Sequence, residues 1–113
     1  MRTMTWEEVL ARDDLIGGDI ESQEDGDVYR GPLAEIREEG DAIIFSSHWC
    51  ARLNRETSGW EKWHITSLLV SKSMVTPVDA GTDRVFLSLP ALGACTIFPK
   101  NGSKLDPSKV RGL

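Results

Sequence analysis

The sequence predicts a mainly β domain, a small antiparallel β-barrel or strongly curved sheet with one short helix at its N-terminus. Three observations predict it. Between Gly18 and Phe98, short runs of alternating apolar and polar residues follow one another, which is strand rather than helix periodicity. Polar turns such as Asp25-Gly26 and Glu38-Glu39-Gly40-Asp41 separate these runs. Gly31-Pro32 falls inside one run, and because Pro cannot donate to a ladder, the strand is expected to bulge or bend there.

A chain of 113 residues is expected to form a single domain over 1–113, burying roughly 65% of its unfolded surface. Composition agrees: 40% hydrophobic and 27% charged residues with four Trp describe a globular chain, not a disordered one. The N-terminal residues lack a secretory apolar run, and nowhere do about 18 apolar residues adjoin. Two cysteines are too few for a disulfide framework and suit a reducing, cytoplasmic setting, with no membrane association expected.

The elements follow in order. Thr5-Trp6-Glu7-Glu8 has capping-box spacing, and Trp6, Val9 and Leu10 form one apolar face, predicting a short helix over about 6–12 that packs on one end of a core. From Gly18 a meander of strands is expected to run to about residue 98. It begins with a hairpin about Asp25-Gly26 and continues through Leu33–Glu38. The acidic turn imitates the start of a calcium loop, but Pro32 stands where the closing Glu is needed and no helices flank it. Ser67–Ser71 fits strand or helix, Met74–Val78 holds a Pro and reads as a weak edge, and Arg84–Leu89 and Gly93–Phe98 are clear strands. Pro99–Leu113 has few apolar residues and is expected to be a flexible tail.

The stretch Asp41–Ile65 holds three of the four Trp, both His and one Cys. It reads as a strand Ala42–Leu53, a turn, and a partner strand Trp60–Ile65. Unbroken alternation would place Ile43, Phe45, Trp49, Ala51 and Leu53 on a core face with Trp63 and Ile65. The other face would carry Ser46, His48, Cys50 and Arg52 beside Trp60, Lys62 and His64. Pairing Trp49 with Trp63 would set His48 opposite His64; a shift of two would set Cys50 opposite His64.

Five to seven short strands with tight turns and a bent strand are similar in architecture to small SH3-like barrels, and no family motif accompanies the likeness. Phosphate-loop, dinucleotide, nucleophile-elbow, zinc-helix and Cys-x-x-Cys signatures are absent.

Chemistry therefore rests on the outward set His48, Cys50, Arg52, Trp60, Lys62 and His64. Two imidazoles and a thiolate suit zinc or copper, although a fourth ligand is missing, and His beside Cys with cationic neighbours suits an activated thiol. Against these stand ordinary solvated histidines with Cys50 as a small filler. Between the two lies a binding surface, with Trp60 stacking and Arg52 and Lys62 holding charge. The first expectation is a non-enzymatic interaction module for a protein or peptide partner, with no cofactor, metal or catalytic residue assigned. The alternative is a metal-dependent or cysteine-based enzyme using His48, Cys50 and His64. Charge bears on partners: Met1–Asp41 carries thirteen acidic against four basic residues, which disfavours nucleic acid on that surface. A weak edge strand would permit homo-oligomers.

Overall fold

In the computed structural model, which describes residues 1–113, the order is β1 (Arg2–Thr3), α1 (Trp6–Leu10), β2 (Asp19–Glu24), β3 (Asp27–Glu39), β4 (Ala42–Ser47) and β5 (Cys50–Leu53). Then follow β6 (Trp60–Trp63), β7 (Ser67–Ser71), β8 (Val78–Asp79), β9 (Val85–Leu89), β10 (Gly93–Phe98), a 3-10 turn (Pro107–Lys109) and β11 (Val110–Arg111). The protein is mainly β, and its sheet is open: the pairing path runs β1-β8-β9-β10-β2-β3-β5-β6-β11 without returning on itself. No helix is long and apolar enough to cross a membrane.

The organising element is β3. Its first half pairs with β2 on one side and β5 on the other, and its second half pairs with β4, which pairs in turn with β7. The two halves of β3 thus belong to two sheets that fold over each other. At the corner Gly31 is obligatory, because a Cβ there would overlap the Trp49 carbonyl oxygen. The hairpin before it turns on Asp25 (φ 52°) and Gly26 (φ 82°), both left-handed as a two-residue primed turn requires. Leu33, Ile43, Phe45, Val70, Val85, Leu87, Cys95 and Ile97 fill the space between the layers.

The cap of α1 is the one its sequence spells. Thr5 Oγ1 accepts from the Glu8 amide at 3.1 Å, and Glu8 Oε1 accepts from the Thr5 amide at 3.2 Å. Val9 is buried and Trp6 Nε1 donates to the Val75 carbonyl at 2.9 Å, which fixes the helix to the core.

Three expectations are corrected. The strand Ala42–Leu53 is not continuous, since it breaks at His48-Trp49 into β4 and β5. Opposite the break, the β3–β4 register shifts between Leu33 and Glu35, so Ala34 is an extra residue in β3. Two irregularities facing each other keep the pairing in step while reversing which side chains face inward. Ile43 and Phe45 face the interior as expected, but beyond the break it is half-buried Cys50 and Arg52 that lie on the cleft side, while Ala51, buried as expected, and half-buried Leu53 lie on the other face. Trp49 is half-buried and Ile65 is 54% exposed, so neither is core.

The second correction is the β5–β6 register. Cys50 lies opposite Trp63, Ala51 opposite Lys62, Arg52 opposite Glu61 and Leu53 opposite Trp60. This is one residue from both registers considered, and a slip of one exchanges faces. The third concerns the tail, which is tied down instead of fraying. Leu105 donates its amide to Asp19 Oδ2 at 2.7 Å, Arg30 donates to the Ser103 carbonyl at 2.8 Å, and β11 pairs parallel with β6. Passing from β2 to the far edge of β6, the tail crosses the outer face of β3 and β5, and fully buried Ala51 lies under its path.

Candidate ligand-binding cleft

Folding the two sheets together leaves a cleft of about 280 Å³ on the concave side. The register explains its composition. Ile20, Ser22 and Glu24 on β2 align with Gly31, Tyr29 and Asp27 on β3, and all six line it. Cys50 and Trp63, a cross-strand pair, close one end. Phe45 from β4 and Leu68 from β7, also directly paired, form the opposing wall.

The floor is apolar and the mouth is acidic. Glu24 and Asp27 flank the hairpin turn at the cleft edge, and Asp25 lies within it. Tyr29 donates to Asp27 at 3.5 Å, Ser22 donates to Glu24 at 3.2 Å, and exposed Arg55 lies 3.8 Å from Asp27. Burial, followed by the negative charge of Asp27, pushes the Tyr29 hydroxyl above the usual phenol range. Arg30 lines the cleft too, but its guanidinium serves the other face, with Asp19 at 2.8 Å, Glu21 at 3.5 Å and the Phe98 ring beneath it.

Trp63 is held among aromatic and cationic groups. Arg52 stacks on its ring at 4.5 Å, His64 lies at 4.8 Å and Tyr29 at 6.0 Å. Its Nε1–H is shielded and has no acceptor, a cost of about 1–3 kcal/mol.

The residues singled out from sequence are divided by the observed register. Cys50 and Arg52 are on the concave side, Trp60 and Lys62 lie on the opposite face of β6, and His48 and His64 are exposed at the strand break and past the end of β6. They do not form one constellation. No three His, Cys, Asp or Glu side chains converge as a metal-ligand set. Both cysteines are free. Burial pushes the Cys50 thiol up to about 11, with Glu24 adding to the effect, which is opposite to the lowering an activated thiol requires.

Residues that sequence reasoning did not assign to a site are Ser22, Glu24, Asp27 and Trp63. In the sequence Glu24 and Asp27 read only as turn flanks, and unbroken alternation puts Trp63 on the core face. The available signal was the alternation Ile20-x-Ser22-x-Glu24 and Asp27-x-Tyr29-x-Gly31, which puts polar and aromatic groups on one face of the hairpin.

The chain is thus an open, curved and mostly antiparallel sheet with an acidic-mouthed cleft on its concave side. No protein family, curated protein or solved structure matches it.

Proposed function

We propose that the protein is a non-enzymatic interaction module whose concave cleft takes a basic side chain, Lys or Arg, of a protein or peptide partner. One observation carries this reading: three carboxylates, Glu24, Asp25 and Asp27, stand over an apolar floor of Ile20, Phe45 and Leu68. The aliphatic stem of a Lys or Arg buries against such a floor while its charged head stays at the mouth. The volume of about 280 Å³ suits one or two side chains and lies at the lower edge of the range for small-molecule pockets.

Two further features support it. Tyr29 and Trp63 line the cleft, and aromatic rings suit a cationic side chain. A polyanion is disfavoured by the same carboxylates, in keeping with the acidic first third of the chain. The SH3-like character enters as an analogy of curvature, a bent sheet presenting aromatic groups to a peptide. Two free cysteines accord with a cytoplasmic partner.

The test is a titration of Trp fluorescence with a short Lys/Leu peptide and with its Glu/Leu counterpart. The basic peptide is expected to bind and the acidic one not to. Glu24→Gln with Asp27→Asn should weaken binding about tenfold, equivalent to about 1.4 kcal/mol. Equal binding of both peptides, or binding untouched by the double variant, would overturn the reading.

A further inference from the structure

The edge strand β7 differs from the other edges of the fold. β1 and β11 are two residues long and carry Arg2 and Arg111, and the unpaired side of the second half of β3 bears Glu35, Arg37 and Glu39. Short length and charge are the usual devices that keep edges from pairing. β7 has neither: Ser67-Leu68-Leu69-Val70-Ser71 is five residues long, uncharged and without Pro.

The backbone phase along β7 is determined. Ser47 donates to the Thr66 carbonyl at 2.8 Å and Lys72 donates to the Asp41 carbonyl at 2.7 Å, and both pairs continue the β4–β7 register. In an antiparallel ladder the groups directed at the neighbour alternate. Thr66, Leu68, Val70 and Lys72 therefore face β4, while Ser67, Leu69 and Ser71 direct their N–H and C=O away from the sheet. The Ser71 carbonyl is already taken by the Met74 and Val75 amides. The side chain of Leu69 is 65% exposed and stands beside Ile44, its cross-strand partner on the outer face.

We propose that β7 pairs antiparallel with β7 of a second copy of this chain, about a two-fold axis at Leu69. That register is self-complementary. Leu69 N–H meets Leu69 C=O in both directions, and Ser71 N–H meets the Ser67 C=O of the other copy, so four hydrogen bonds form. It also continues the apolar row, Ile44 and Leu69 of one copy against Leu69 and Ile44 of the other. Charge favours the same place, because two copies of net charge −5 repel least through a neutral strand. The interface is isologous and at the small end of specific contacts, so association in the micromolar range is expected. It does not depend on the cleft reading.

Sedimentation from about 10 µM to about 1 mM protein should show the 12.5 kDa chain giving way to a dimer. Leu69→Lys, at an exposed position that leaves the fold intact, should weaken the dimer at least tenfold. The Leu69 and Ser71 amides should become protected from hydrogen exchange as concentration rises. Under mild oxidation Leu69→Cys should form an intermolecular disulfide that Ser73→Cys does not. A chain monomeric across the whole range, or a dimer indifferent to Leu69→Lys, overturns the proposal. So does protection of the Leu69 amide only on adding the Lys/Leu peptide, which would make the edge a peptide site.

Discussion

At the residue scale, Asp19 is a buried carboxylate on which three segments converge. It is 3% exposed, pairs with Arg30 at 2.8 Å and accepts the Leu105 amide at 2.7 Å, so one carboxylate joins β2, β3 and the tail. Without it the largely buried Arg30 guanidinium keeps only the longer contact to Glu21 as a counter-charge. Asp19→Ala should destabilise the protein by about 3 kcal/mol in denaturant titration and speed amide exchange at Leu105.

Cys50 gives a second prediction at this scale. Its thiol is raised to about 11, above that of a free cysteine, so the unfolded chain ionises first. The stability this contributes is complete below the free-thiol range and is lost as pH climbs toward about 11. Alkylation by iodoacetamide should be slow at neutral pH with half-maximal rate near that value, and Cys95, pushed up further by deeper burial, should react only on unfolding.

At the scale of elements, the corner of β3 decides the site. Gly31 approaches the Trp49 carbonyl more closely than any side chain allows. Gly31→Ala should therefore force β3 and β5 apart, costing about 1–3 kcal/mol and lowering peptide affinity more than Phe98→Leu on the far side. A chevron-derived stability and the Trp titration would measure both. The corner also marks where sequence reasoning stopped working. The helix cap, the Asp25-Gly26 hairpin and the faces of Ile43 and Phe45 were legible because local chemistry specifies each of them. The break at His48-Trp49 was not, because it is matched to an extra residue, Ala34, in the partner strand, and no local pattern marks either. Together the two irregularities exchange the faces of Cys50 and Arg52 with Ala51 and Leu53 and divide the expected cluster.

At the scale of the whole molecule, the acidic first third is partly a site property. Glu24, Asp25 and Asp27 stand at the cleft mouth, whereas Arg30, the cation among the lining residues, is committed to the opposite face. Charge counting along the sequence located the acidity but not the face that carries it. The tail was misjudged for a related reason. Composition registered few apolar residues in 99–113, yet backbone groups meeting Asp19, Arg30 and β6 hold it in place. Hydrogen bonds to distant partners leave no periodic trace.

That arrangement also sets an order of events in time. The outer side of β5 is closed by a segment that follows β10 in the chain, and β11 joins β6 in parallel with partners fifty positions apart. Contacts so remote in sequence form late, because the loop between them must be closed first. Until then Asp19, Arg30 and Ala51 face water. A nascent chain is consequently two-sided until residues 103–111 have been added.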